Sequence, residues 1–213
     1  MSGPRIAVLD YGMGNLRSVE KALEHVGAVA EVTDDHSRAL AADGVVLPGV
    51  GAFPKAMERI RELGLDELVS DRLGQGVPTL GICLGLQLLF DRSTELGGAR
   101  GLGLVAGEVD RLPSSGLKLP QIGWNMVAWR RPSALTEGLP EACAFYHVHT
   151  YAPRPASPED VLGTATYGDE FVTAIERAPL YGVQFHPEKS GANGLRVLGN
   201  FAAICAGALS RAA

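Results

Sequence analysis

Residues 77–90, VPTLGICLGLQLLF, place one cysteine between two glycines and two apolar runs. The run before Cys83 predicts a buried strand, and the run after it predicts a helix that begins near Leu84. A strand that enters a helix through Gly81-x-Cys83-x-Gly85 has the layout of a nucleophile elbow, which lifts a reactive side chain above a sheet edge. The unpaired N–H groups at the start of the helix would favour a thiolate over a thiol. The alternative is a structural cysteine packed between glycines.

The segments before this stretch alternate between strand and helix patterns. Apolar runs at residues 5–10, 28–33 and 44–49 predict strands, and a short segment, 37–43, lies between the second and the third. Helical spacing appears at residues 15–27, 54–64 and 65–76, with Gly27 as a C-cap and Pro54 in a first turn. This alternation predicts a parallel sheet with helices on both faces.

From about residue 104 the pattern changes to strands joined by short turns. Runs at 104–112, 143–151, 161–167, 171–177 and 180–185 predict an antiparallel extension, and residues 191–209 predict a closing helix. The proline-rich residues 151–160 are interpreted as a surface loop. The sequence therefore predicts one α/β domain over residues 1–213, a mostly parallel sheet with an antiparallel extension.

Composition narrows the classes of function. The 213 residues are 46% hydrophobic and carry a net charge of −5, which disfavours a nucleic-acid or anionic-membrane partner. We expect no secretory signal and no membrane span, because the first apolar segment is short and no later one reaches about 18 residues. Three cysteines without metal-like spacing predict neither a disulfide framework nor a metal site. These features predict a cytoplasmic protein with reduced thiols.

A thiol nucleophile needs a base and a group that orients the base. Among the five histidines, His25 and His36 lie in polar surroundings, and His147 and His149 alternate on one strand face, where substrate contact and packing both remain open. In YGVQFHPEK the last histidine, His186, ends an apolar strand and precedes Glu188 by two positions. It is therefore the best candidate for the base.

GICLGLQLL (81–89) together with GVQFHPE (182–188) resembles the signature of class I glutamine amidotransferases. In that family a Cys-His-Glu triad hydrolyses the side-chain amide of glutamine and delivers ammonia to a synthase. The resemblance implies a flavodoxin-like α/β fold, with Cys83 as nucleophile, His186 as general base and acid, and Glu188 as its orienting partner. It implies no metal and no organic cofactor.

The same resemblance implies which residues hold the substrate, L-glutamine. Gln87 would contact glutamine, and oxyanion donors would come from the N–H of Leu84 and from the loop LPGVGAF (47–53). The paired glycines also suggest that the Gly49–Val50 peptide flips when a partner docks, although a plain tight turn is equally compatible. The implied oxyanion and substrate residues are Gly49, Val50, Gly51, Leu84, Gln87, His149, Thr150 and Tyr151.

Three further stretches, DYGMGNLRSV (10–19), LPQIGWN (119–125) and HPEKS (186–190), resemble the glutaminase subunits of imidazole glycerol phosphate synthases. The partner there is a (β/α)8-barrel cyclase, which forms a heterodimer and makes imidazole glycerol phosphate and aminoimidazole-carboxamide ribonucleotide in histidine biosynthesis. A dinucleotide loop is disfavoured, because Arg17 stands where a third glycine belongs. The residues implied to lie near the partner are Asn15, Lys118, Gln121, Trp124, Asn125 and Lys189.

Three alternatives remain open. The chain could be a stand-alone γ-glutamyl hydrolase, which would act at full rate without a partner, or a non-catalytic binding subunit, which the intact Cys83, His186 and Glu188 disfavour. It could also be the glutaminase subunit of an anthranilate/aminodeoxychorismate or pyridoxal phosphate synthase, which DYGMGNL disfavours. Because the chain ends soon after the second motif, we expect the synthase to be a separate protein.

Overall fold

The computed structural model describes residues 3–212, and the side-chain surroundings of residues 3–207. Its strands, in chain order, are β1 (Arg5–Leu9), β2 (Val29–Thr33), β3 (Gly44–Leu47), β4 (Thr79–Ile82), β5 (Phe90–Ser93), β6 (Ala99–Arg100), β7 (Val105–Arg111), β8 (Gln121–Trp129), β9 (Ala142–His149), β10 (Tyr151–Pro155), β11 (Val161–Tyr167), β12 (Asp169–Arg177) and β13 (Leu180–Val183). Its helices are α1 (Leu16–His25), α2 (His36–Leu40), α3 (Phe53–Glu62), α4 (Leu65–Gly74), α5 (Leu84–Leu88) and α6 (Gly191–Ala212). Short 3₁₀ turns cover Glu95–Gly97, Ala134–Thr136, Pro158–Asp160 and Pro187–Lys189.

A nine-stranded sheet in the order β2-β1-β3-β4-β13-β12-β11-β8-β9 forms the centre of the fold. Its first five strands are parallel, in the order expected of flavodoxin-like sheets. Strands β3, β4 and β13 are buried along their whole length, as strands covered on both faces should be. The mostly parallel α/β sheet predicted from the sequence is confirmed.

Helices cover both faces of the parallel strands. Helices α1 and α6 pack on one face, where Leu23 and Phe201 belong to the same core. Helices α3 and α4 pack on the other, where Met57 and Leu68 belong to a second core. Across residues 3–212, none of these helices is both long and apolar enough to span a membrane.

The antiparallel extension is also confirmed, and it has two parts. Strands β12, β11, β8 and β9 continue the large sheet in antiparallel pairs. A separate four-stranded sheet has the order β10-β7-β5-β6. In this second sheet β5 and β7 are parallel, and the other two pairs are antiparallel.

One sequence-based prediction is wrong here. Residues 151–160, interpreted as a surface loop, contain the strand β10 and the 3₁₀ turn Pro158–Asp160. Pro153 and Pro155 are compatible with a strand because β10 lies at the edge of its sheet and pairs only with β7.

Candidate active site

Cys83 lies at the carboxyl end of β4, one residue before α5. Its backbone has φ 55° and ψ −108°, a left-handed conformation that is unfavourable for a residue with a Cβ. The turn is held from the neighbouring strand, because the Cys83 amide donates a hydrogen bond to the carbonyl of Val183 at 2.8 Å. The predicted tight turn between strand and helix is therefore present, although α5 ends after five residues, at Leu88.

The two glycines around Cys83 are required by close backbone contacts. A Cβ on Gly85 would lie 1.7 Å from the carbonyl oxygen of Leu47 in β3. A Cβ on Gly81 would lie 2.8 Å from the carbonyl oxygen of Gly85 and from the amide of Leu86. Real Cβ atoms do not approach so closely, so any side chain here would push α5 away from the sheet and displace Cys83.

His186 lies at the same sheet edge as Cys83, because β13 pairs in parallel with β4 and ends three residues earlier. The His186 amide donates to the carbonyl of Tyr146 in β9, and its own carbonyl accepts from the Ser190 hydroxyl at 2.7 Å. Nδ1 of His186 donates to Oε1 of Glu188 at 2.9 Å. The 3₁₀ turn Pro187–Lys189, rather than a continuing strand, creates this contact.

The surroundings of His186 stabilise its protonated form. Burial lowers the pKa of the imidazole, but the neighbouring Cys83 thiol and the Glu188 carboxylate raise it more, to about 9. Within the described residues, Nε2 of His186 has no partner at hydrogen-bonding geometry. The thiol of Cys83 is thus close enough to affect the pKa without a well-aligned hydrogen bond, as is common in catalytic pairs without substrate.

Two glutamines connect Cys83 to the pocket wall. Nε2 of Gln184, a fully buried side chain, donates to Sγ of Cys83 at 3.6 Å. Nε2 of Gln87 donates to Oε1 of Gln184 at 3.1 Å and to the carbonyl of Tyr151 at 3.0 Å. Gln184 was not identified from the sequence, although it lies two residues before His186 in the quoted motif.

A pocket of about 300 Å³ opens beside Cys83. Eight residues predicted to be catalytic or to bind substrate line it: Val50, Gly51, Cys83, Leu84, Gln87, His149, Thr150 and Tyr151. Sequence reasoning missed three other lining residues, Glu95, Pro120 and Val148. Glu95 follows the short strand β5, and its Oε2 accepts a hydrogen bond of 2.8 Å from the backbone N–H of Phe53. Gly49, His186 and Glu188, which were also predicted, do not line the pocket themselves.

The two alternating histidines of β9 have different positions. His147 is fully buried: its Nδ1 donates to the carbonyl of Phe145, and its Nε2 accepts from the Thr173 hydroxyl at 2.8 Å. His149 reaches the pocket, where its Nδ1 donates to the Tyr151 carbonyl and its buried Nε2 has no partner among the described residues. Burial lowers the pKa of His147 to about 3 and that of His149 to about 4.

The loop between β3 and α3 runs along the pocket. Gly51 has φ +112°, which strains any other residue, and Val50 is exposed. A Cβ on Gly49 would lie 2.1 Å from the hydroxyl of Tyr11. The loop is therefore confined at Gly49 and depends on glycine at Gly51.

The residues implied to lie near a partner do not all share one surface. Trp124 is 59% exposed and lies on β8 between Ile122 and Met126, which are 63% and 54% exposed. Gln121 is buried on the opposite face of β8, so its side chain cannot belong to an exposed surface. Asn15, Lys118 and Lys189 are exposed, and Nδ2 of Asn125 donates to the carbonyl of Thr166.

No group of three or more His, Cys, Asp or Glu side chains that could hold a metal ion occurs in residues 3–207. All three cysteines are free and buried.

Comparisons with known proteins show which family the chain belongs to. The sequence profile of the family "Glutamine amidotransferase class-I" matches residues 7–205. The protein named imidazole glycerol phosphate synthase subunit HisH of Moorella thermoacetica is 54% identical over 92% of this chain and 93% of its own. Proteins of the same name from Aquifex aeolicus and Thermosynechococcus vestitus are each 50% identical, over 92% and 96% of this chain and 95% and 99% of their own.

Solved structures show the same fold at low identity. The crystal structure of a glutamine amidotransferase has a TM-score of 0.74 at 20% identity, covering 94% of this chain and 98% of its own. PurLQS from Thermotoga maritima has a TM-score of 0.73 at 18% identity, covering 93% of this chain and 97% of that chain. Because the family profile and the curated relatives each span more than nine-tenths of the sequence, the chain belongs to the class I glutamine amidotransferase family.

Proposed function

We propose that this chain is the glutaminase subunit of an imidazole glycerol phosphate synthase. Identity of 50% or more to proteins of that name, over more than nine-tenths of the chain, supports the assignment. The observation that carries the chemistry is the buried His186, which lies between the thiol of Cys83 and the carboxylate of Glu188. We also propose that residues 1–213 act as one amidotransferase domain in the cytoplasm.

The first half of the reaction forms a thioester. Because the pKa of His186 is raised to about 9, its imidazole carries a proton at neutral pH, which stabilises a thiolate on Cys83. The thiolate attacks the amide carbon of glutamine, and the new oxyanion accepts hydrogen bonds from backbone N–H groups at Leu84 and the Gly49–Gly51 loop. The C–N bond then breaks as His186 gives its proton to the leaving nitrogen, and ammonia departs.

The second half regenerates the enzyme. Neutral His186 accepts a proton from water as the water attacks the thioester carbonyl. The C–S bond breaks, glutamate leaves, and the thiolate–imidazolium pair forms again. Glu188 accepts a hydrogen bond from the Nδ1–H group of His186 throughout, so Nε2 is the nitrogen that gives and takes the proton in the reaction.

The pocket suits a single amino acid. Its volume of about 300 Å³ lies at the small end of ligand pockets. Glu95 is the only acidic side chain among its lining residues, so we propose that it contacts the α-ammonium group of glutamine. Gln87 and the segment His149–Tyr151 would then hold the rest of the substrate beside Cys83.

We propose that the apolar stripe on β8, formed by Ile122, Trp124 and Met126, docks the (β/α)8-barrel cyclase. Three large apolar side chains that point outward from one strand are typical of an interaction surface. Ile122 pairs across the ladder with Val148, which lines the pocket. A partner that covers the stripe would therefore also cover the mouth of the pocket, and ammonia could pass to it without entering bulk water.

Docking would also control the oxyanion site. We propose that in the free subunit the Gly49–Val50 peptide points its carbonyl toward that site, and that the cyclase with bound nucleotide favours the flipped state. The shift toward the flipped state is limited by how much more tightly the nucleotide-bound cyclase binds that state than the unflipped one. One added oxyanion donor would raise the rate about a hundredfold.

The test is a glutaminase assay on the isolated chain, on its complex with the cyclase, and on that complex with bound nucleotide. We expect kcat/KM for glutamine to rise about a hundredfold or more from the first to the last. If the isolated chain is as fast as the liganded complex, it is a stand-alone hydrolase. If the cyclase neither binds nor activates it, it serves another synthase.

A further inference from the structure

Tyr11 is a buried polar side chain that the mechanism above does not use. It lies between β1 and α1, and its side chain is fully buried. Its hydroxyl donates a hydrogen bond of 2.7 Å to the carbonyl oxygen of Pro48, at the start of the loop that follows β3. This bond connects two loops at the carboxyl ends of adjacent parallel strands.

The Tyr11 hydroxyl also packs directly against the loop that carries the oxyanion donors. A Cβ placed on Gly49 would meet the Tyr11 hydroxyl at 2.1 Å, the Cβ of Leu84 at 3.1 Å and the amide of Gly85 at 3.4 Å. Gly49 is therefore enclosed by Tyr11 on one side and by the turn after Cys83 on the other. The space allows a glycine and nothing larger.

We propose that Tyr11 is a positioning residue for the oxyanion loop, which it holds through the carbonyl of Pro48. This inference rests on the proposed glutaminase function. Because a peptide group is planar and trans, fixing the Pro48 carbonyl also fixes the direction of the Gly49 N–H. Rotation of the Gly49–Val50 peptide then has one fixed end, so the loop can reorient without drifting away from Cys83.

Two further observations support this role. Burial, followed by the charge of Cys83, raises the pKa of the Tyr11 phenol far above its ordinary range, so the hydroxyl keeps its proton and remains a donor. The same β1–α1 loop touches the oxyanion loop again, because a Cβ on Gly51 would lie 2.6 Å from the Met13 methyl group. A partner that contacts Asn15, in this same loop, could thus act on the oxyanion loop through residues 11–13.

The experiment tests Tyr11→Phe in the full complex with the cyclase and bound nucleotide. This substitution removes the hydroxyl oxygen and keeps the aromatic ring. Tyr181→Phe is the matched control, because Tyr181 is also buried and packs on Phe201, away from the pocket. We expect Tyr11→Phe to lower kcat for glutamine at least tenfold, with KM changed less than twofold. Ammonium-dependent turnover should match that of the control.

A tyrosine analogue that keeps the hydroxyl gives a second measurement if Tyr11→Phe folds poorly. Incorporation of 3-fluorotyrosine at position 11 should keep kcat within twofold of the parent. Equal kcat values in Tyr11→Phe and Tyr181→Phe would overturn the proposal, and so would a parallel loss of ammonium-dependent turnover. If the parent complex itself fails to hydrolyse glutamine, the proposed function fails instead, whatever the variant does.

Discussion

Oε1 of Glu188 accepts a hydrogen bond of 2.9 Å from Nδ1 of His186, and both side chains are almost fully buried, at 1% and 3% exposure. A buried carboxylate beside an imidazole stabilises the imidazolium and selects the tautomer whose Nε2 faces Cys83. The other oxygen of Glu188, Oε2, has no partner among the described residues, so the carboxylate depends on His186 for its stabilisation. Each side chain of this pair therefore stabilises the charged form of the other.

Substitutions of His186 and Glu188 should lower kcat for glutamine by different amounts. His186→Ala should lower kcat for glutamine by at least a thousandfold, because both proton transfers pass through this side chain. Glu188→Gln keeps the shape but removes the charge, so we expect a smaller loss of about a hundredfold. Steady-state kinetics of each variant in complex with the cyclase and bound nucleotide measure both losses of kcat. A parent-like kcat in Glu188→Gln would reduce the catalytic unit to Cys83 and His186.

Three buried histidines predict an optimum in the pH dependence of stability. Burial keeps His147 and His149 neutral, with pKa values of about 3 and 4, whereas the unfolded chain protonates them near pH 6.5. Their contribution to the free energy of unfolding is full above pH 6.5 and is lost as the pH falls toward 4. The pKa of His186 is raised to about 9, so its contribution is full below pH 6.5 and is lost as the pH rises through 9. The free energy of unfolding should peak near pH 6.5.

Urea denaturation between pH 4.5 and 9.5 measures this profile. His147→Gln cannot titrate, so it should reduce the slope on the acid side by one proton, about 1.4 kcal/mol per pH unit. The slope on the basic side should stay unchanged. An acid slope equal to that of the parent would show that His147 is not held neutral by burial.

Gly51→Ala tests the loop beside the pocket. Alanine at φ +112° should cost about 1–2 kcal/mol of stability and lower kcat for glutamine. Gly27→Ala is the matched control, because Gly27 has φ +93° with no atom close to an added Cβ, and it lies after α1. The control should lose similar stability in thermal unfolding and keep full activity. Equal activity in the two variants would remove the loop from the mechanism.

Trp124→Ala tests the docking stripe. Loss of a large exposed aromatic side chain from the centre of an interface should weaken cyclase binding at least tenfold, about 1.4 kcal/mol. Leu40→Ala on α2 is the control, since Leu40 is also exposed but lies outside the stripe. Calorimetric titration measures both affinities. If Trp124→Ala binds the cyclase with unchanged affinity, the cyclase docks on a surface other than this stripe.

The sequence predicted the parallel half of the fold well because strongly apolar strands alternate there with amphipathic helices. It missed β8, in which the usual alternation is reversed: the apolar Trp124 faces outward while the polar Gln121 is buried. It did not predict where α5 ends, because Gln87 is the one polar side chain in residues 84–90 and the run shows no helical periodicity.

The candidate site shows the same limit of sequence reasoning. Cys83 and His186 were found because glycines and a proline mark the turns that present them. Gln184, Glu95 and Tyr11 were missed because their roles depend on contacts between distant segments, such as Tyr11 with Pro48. Only the folded chain brings those segments together.

The most direct test of the account is the nitrogen source used by the Cys83→Ala variant in complex with the cyclase. We expect it to form no imidazole glycerol phosphate from glutamine, yet to form it from ammonium salts at high pH as fast as the parent complex. Cys143→Ala and Cys205→Ala should use both sources, since these buried thiols lie outside the pocket. Glutamine-dependent product from Cys83→Ala, or loss of product from both sources, would contradict the account.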